Sequence, residues 1–144
     1  AMKIAVNFDG TIVENNYPEI GKEKPFAFYV LLNLIQRGHK LILCTHRTGE
    51  ELQKVIEYCR ERDLEFYAVN DNRSDEKCLE GLNRQIDADI FIDSRNLGGL
   101  PSWDKIFWII HPQEADYVSL RSPSRKWKRW KRWRKKQWRN LVSR

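Results

Sequence analysis

The chain has 144 residues, 41% of them hydrophobic, which allows one domain with a real core and leaves no room for two comfortable ones. Its net charge of +6 joins two unlike parts: residues 121–144 hold 12 of the 26 Lys and Arg and no Asp or Glu, so residues 1–120 are net −6. No apolar run nears the roughly 20 residues that span a bilayer, and the start lacks the charged, apolar, then small-residue order of a secretory signal.

Ala1 ahead of Met2 reads as a cloning remnant, with the natural chain expected to begin at Met2. Cys44, Cys59 and Cys78 are odd in number and share no metal-ligand spacing. Cys44 falls in an apolar run and Cys59 on a helical pattern, so both are expected as small buried hydrophobes. A reduced, cytoplasmic setting is expected.

Lys3 to Phe8 predicts a short apolar strand, closed by the turn signal Asp9-Gly10. Residues 14–24 carry Pro18 and Gly21 among polar residues and read as a loop. Pro25 suits the first turn of a helix, whose apolar spacing runs through Phe26, Leu31, Leu34 and Ile35 until Gly38 stops it. Lys40 to Thr45 predicts a second strand. Thr48 stands at a helix start, and Leu52, Val55, Ile56 and Cys59 form that helix's buried face. Phe66 to Val69 predicts a third strand, with a polar loop over 70–75 and a short helix over Glu76 to Ile86 after it. Ile90 to Asp93 predicts a fourth strand ending on a carboxylate, and Trp103 to Ile110 a last helix.

Strands alternating with helices imply parallel strands joined by right-handed crossovers. The expected fold is α/β, a Rossmann-like three-layer α/β/α sandwich on a mainly parallel sheet over residues 1–120, with a basic C-terminal helix over 121–144. Ligands in such sheets sit beyond the carboxyl ends of the strands. Asp9, Thr45 and Asp93 come after or at the ends of three different strands, so they are expected to converge on one site.

Asn7-Phe8-Asp9-Gly10-Thr11 resembles the D-x-D-G-T opening of the haloacid dehalogenase-like hydrolases, most of which are phosphatases. Leu43-Cys44-Thr45 resembles their second motif and Ile90-Phe91-Ile92-Asp93 their fourth. The three motifs, in order, cover residues 3–99, and they resemble small bacterial members with D-F-D-G-T-I and F-I-D-D-R-N.

That resemblance implies a Mg2+-dependent phosphohydrolase. The first aspartate of the family attacks phosphorus. The second, Asp9 here, would protonate the leaving oxygen and then activate water. Thr45 would hydrogen-bond a phosphate oxygen, with Gly10, Thr11 and Arg47 beside it. Mg2+, which prefers oxygen ligands, would fall to Asn7, Asp9 and Asp93. The neutralising cation would be Arg84, with Lys77 second. His46, Arg95 and Asn96 would border the site.

Two positions depart from the pattern. Asn7 stands at the nucleophile's position, and Ser94 where those relatives carry a second aspartate. Each removes a negative charge that would help to hold Mg2+, so weak or absent catalysis is expected. Read from the residues alone, Asn7 is also simply a strand-end amide that bonds nearby backbone. The segments 12–24 and 70–75 are too short for the family's substrate-selecting caps. An open site is therefore implied, for a phosphorylated ligand that includes macromolecules, or for a site completed by a second subunit. A non-catalytic phosphate-binding or docking protein is the alternative.

In residues 121–144, Trp127, Trp130, Trp133, Trp138 and Leu141 share an arc of about 140° on a helix, opposite most of the Lys and Arg. This segment suits an anionic membrane or nucleic acid. It equally suits the protein's own body or a second copy in a homo-oligomer.

Overall fold

The computed structural model describes residues 1–70 and 86–114. The helix expected over 76–86, Cys78, the cation candidates Lys77 and Arg84, and the basic segment 121–144 lie outside the described residues, Ile86 excepted.

Among the described residues four strands form one sheet in the order β3-β2-β1-β4: β1 Lys3–Asn7, β2 Lys40–Cys44, β3 Ala68–Val69 and β4 Ile90–Ile92. Every pairing among them is parallel. The helices among the described residues are α1 Ala27–Gln36, α2 Gly49–Arg60 and α3 Trp103–Ile110, followed by a 3-10 turn at Pro112–Glu114. The fold is α/β and Rossmann-like, as the alternation predicts.

Side-chain alternation gives the sheet two buried faces. Ile4, Val6, Leu41 and Leu43 point into one core with Phe28, Leu31 and Leu34 of α1, Val55 and Cys59 of α2, and Ile106 and Phe107 of α3. Tyr58 of α2 meets Phe28 of α1 edge to face at 5.9 Å, so both helices lie on that face. Ala5 and Ile42, paired in register, are buried on the other face, toward which Phe91 of β4 also points. The helix expected over residues 76–86 is outside the described part but for its last residue.

Two local expectations shift. Pro25 lies two residues ahead of α1 rather than in its first turn, because Phe26 takes a left-handed conformation at φ 66 and the helix begins after it. The third strand, expected over Phe66 to Val69, spans Ala68–Val69, the two residues that pair with Ile42 and Leu43 of β2. Cys59 is fully buried, and desolvation pushes its thiol up to about 12, as suits a buried hydrophobe.

Strand order matters for the site. The chain steps from β1 outward to β2 and β3, then returns to the opposite side of β1 for β4. That reversal is the switch point at which open α/β sheets form a crevice. Val6 pairs with Ile92, so Asn7 and Asp93 emerge side by side at the carboxyl ends of β1 and β4.

Candidate functional site

The turn after β1 is built on one carbonyl. Phe8 O accepts from the backbone N–H groups of Thr11, Ile12 and Val13 at 3.1, 3.0 and 3.4 Å. Gly10 sits at φ 84, where a side chain would be strained, and its N–H donates to Val13 O. A Cβ there would stand 3.0 Å from Ser94 Oγ, so the loop after β4 rests directly on this turn. Thr11 ties the two: its Oγ1 accepts from Ser94 N–H at 3.0 Å, while its carbonyl accepts from the buried Trp103 Nε1 at 3.0 Å. Gly10 and Thr11, expected at the phosphate, thus spend these groups on holding two loops together.

Asn7 is fixed in orientation by its surroundings. Its Oδ1 accepts from Phe8 N–H at 2.8 Å, which turns its Nδ2 toward Asp9 O and Asp93 Oδ1, each at 3.3 Å. The amide bonds nearby backbone, as a strand-end asparagine is expected to. It also bridges two acceptor oxygens on different loops.

Both carboxylates of the site carry a guanidinium. Arg47 Nε and Nη2 donate to the two oxygens of Asp9, each at 2.7 Å. The same guanidinium donates to Pro18 O at 2.8 Å and Glu19 O at 2.9 Å, and lies 5.0 Å from the centre of the Tyr17 ring. Arg47 is only 2% exposed. Its hydrogen bonds to Asp9 raise its pKa further against the cost of burial. Arg95 holds Asp93 with Nη2 at 2.6 Å and Nε at 3.1 and 3.2 Å. Those bonds, with help from the Arg95 backbone N–H and Asn7, pull the Asp93 carboxyl down to about 2 against some desolvation. Arg95 Nη1 also lies 3.3 Å from His46 Nε2.

Thr45 comes directly after β2 as expected. Its N–H donates to Asn70 Oδ1 at 2.7 Å and its hydroxyl accepts from Arg47 N–H at 3.1 Å. Asn96 shapes the loop after β4, donating to Phe91 O at 3.2 Å. The structure therefore brings Asn7, Asp9, Thr45, Arg47, Asp93 and Arg95 to one end of the sheet.

Sequence reasoning misses Asn15, Tyr17 and Asn70. The first two sit in a stretch that reads as a plain polar loop, yet they join Asn7, Asp9, His46, Arg47 and Arg95 around an open pocket of about 380 Å3. The only available signal for Asn70 is its type: asparagine tolerates the left-handed conformation, φ 55, that it adopts after β3.

These residues do not fit Mg2+ as they stand. A hard cation needs several free oxygens. Asn7 turns its nitrogen, not its oxygen, toward Asp9 O and Asp93, and both carboxylates are already engaged by arginines. Among the described residues no three His, Cys, Asp or Glu side chains gather to hold a metal.

The fold and the site define an α/β protein with a polar crevice at the switch point of a parallel sheet. A solved structure of a conserved protein coded by a locus from Bacteroides thetaiotaomicron matches it with a TM-score of 0.73 and 50% identity, over 78% of this chain and 92% of that one. The chain belongs to the family of that conserved protein. No protein-family model and no curated protein matches it.

Proposed function

We propose that this protein is a haloacid dehalogenase-like phosphohydrolase scaffold whose site has turned from chemistry toward binding. The observation that carries the reading is the Asn7 amide, held by Phe8 N–H so that its nitrogen donates to Asp9 O and Asp93. A neutral amide whose oxygen already accepts a hydrogen bond is a very poor nucleophile toward phosphorus.

A charge balance supports the same reading. Asp9 and Asp93 are matched one to one by Arg47 and Arg95. Aspartates at positions 7 and 94, as in the motif this sequence resembles, would leave two uncompensated negative charges, the charge of one divalent cation. The two departures therefore fit together: the site loses two carboxylates and with them its need for Mg2+. Asp9 has the position of the acid and base, but it would have to leave Arg47 to move a proton.

Binding is better supported than turnover. Tyr17, His46 and Arg95 stand at an open pocket mouth, and the Arg95 side chain is 66% exposed. A phosphorylated ligand would take Arg95 from Asp93. The segment 12–24 is too short to form a cap over this mouth, which suits a large ligand.

Phosphatase assays on a broad phosphoester panel with Mg2+ test the reading. The unaltered chain is expected at background, and Asn7→Asp with Ser94→Asp is expected to regain turnover at least 100-fold above it. Turnover by the unaltered chain at ordinary enzyme rates would overturn the proposal. So would failure of the double variant to respond to Mg2+ in either turnover or thermal stability.

A further inference from the structure

A second concave surface lies away from the crevice, between β4 and α3. It encloses about 270 Å3 and is lined almost wholly by apolar side chains. Ile92 and Ile106, each 5% exposed, belong to its floor. Phe91, Leu97 and Ile109 stand around it at 53%, 106% and 65% exposure. Apart from Tyr17 at the crevice, these are the exposed large hydrophobics among the described residues. They lie beside β4, which among the described residues is an edge strand of the sheet. Exposed apolar surface gathered in one place is a site of association.

We propose that the tryptophan-bearing segment 121–144 of the same chain docks in this groove. The groove and the segment meet along the chain. Ile110 lines the groove, and the described chain ends four residues later at Glu114, which Arg37 grips through both carboxylate oxygens at 2.7 Å. The twelve residues from 115 to 126 reach up to about 40 Å when extended, enough to return any part of 127–141 to the groove.

The chemistry is complementary on both counts. Trp127, Trp130, Trp133, Trp138 and Leu141 share one helical arc and need apolar cover. The 12 cations of the segment are opposite in sign to a remainder that is net −6, which favours its association with the body as a whole. Tethering decides between occupants. A segment joined to its groove by only twelve residues is held at an effective concentration on the order of mM, whereas a second copy must be recruited from solution.

The test uses the full chain in three forms: unaltered, Trp130→Ser with Trp133→Ser, and Leu97→Ser with Ile109→Ser. The substituted groove residues are exposed, so the fold is retained, which circular dichroism checks. Amide hydrogen exchange is read over 90–110 and 127–141, with light scattering for mass. Docking predicts a monomer in which both regions exchange at least 10-fold more slowly in the unaltered chain than in either variant. Protection that grows with protein concentration alongside a dimer would assign the groove to a second copy and overturn the proposal. Groove exchange that ignores the tryptophan substitutions would overturn it as well. Adding phosphatidylserine vesicles is expected to pull the segment away and speed exchange over 90–110. Vesicle binding that leaves that exchange unchanged shows a segment that was never docked.

Discussion

Arg47 and Asp9, 38 residues apart, meet in a two-pronged ion pair at 2.7 Å on each prong, with the arginine side chain 1% exposed. The same guanidinium donates to the carbonyls of Pro18 and Glu19, so a single side chain ties the end of β1, the end of β2 and the 14–22 loop together. A lysine cannot replace it, because one ammonium cannot fork a carboxylate and reach two further carbonyls.

Arg47→Met is therefore expected to cost about 3–5 kcal/mol, since it leaves Asp9 without its counter-charge and two carbonyls without their donor. Arg47→Lys is expected to recover less than half of that loss. Urea unfolding at neutral pH measures both, and a cost below about 1 kcal/mol for the methionine variant would show that the pair does not hold these loops.

Gly21 supports the same loop by close approach. A Cβ placed there would lie 1.9 Å from Glu14 O, in a turn closed by Glu14 N–H donating to Lys22 O at 2.7 Å. Gly21→Ala is expected to destabilise by roughly 3 kcal/mol or more. Because the displaced loop carries the carbonyls that Arg47 uses, the double variant with Arg47→Met should lose less than the two single losses together. Strict additivity in unfolding titrations would separate the two devices.

Acid should act on Asp93. Its carboxyl is lowered in the folded state, so its contribution is complete above the ordinary carboxylate range and disappears as pH falls from about 4 toward about 2. The Arg95 side chain is 66% exposed, and solvent screening keeps the pair's contribution at neutral pH small. Arg95→Gln is expected to move the Asp93 titration upward, as tracked by carboxyl carbon NMR. Asn7 and the residue 95 backbone N–H should still hold it below an ordinary aspartate.

A histidine pair gives a second pH response at the opposite end of the sheet. Met2 N–H donates to His39 Nδ1 at 3.1 Å, and His39 Nε2 lies 2.9 Å from His111 Nε2. The acceptor role of Nδ1 leaves the proton of neutral His39 on Nε2, directed at His111. Burial first, then the neighbouring His111, the chain's N-terminus and Arg37, hold His39 below its ordinary pKa. Its neutral form is the folded one, so stability is complete above about pH 6.5 and falls with acidification by up to about 1.4 kcal/mol per pH unit until His39 protonates. His39→Gln should flatten the unfolding midpoint between pH 7 and 5; an unchanged slope would exclude the pair as its source.

The sequence by itself carried the fold class and the place of the site. The apolar runs Lys3 to Phe8, Lys40 to Thr45 and Ile90 to Asp93 identify buried parallel strands, and in such a sheet the residues at or just past each strand's end must gather at the carboxyl edge. That logic located Asp9, Thr45 and Asp93, and the segment near Trp103 to Ile110 was legible as a helix. Local pattern suffices there, because each element buries a face that it announces in its own spacing.

Partnership among the side chains was decided only in three dimensions. Arg47 reads as a phosphate ligand and is instead buried in a clasp with Asp9, since nothing local shows that the carbonyls of Pro18 and Glu19 come within its reach. Asn7 reads as a missing nucleophile. Register set it beside Asp93, and the Phe8 N–H determined which end of its amide faces the crevice. Charges and hydrogen-bond donors act through space at a few ångströms, a distance the folded chain fixes between residues far apart in sequence.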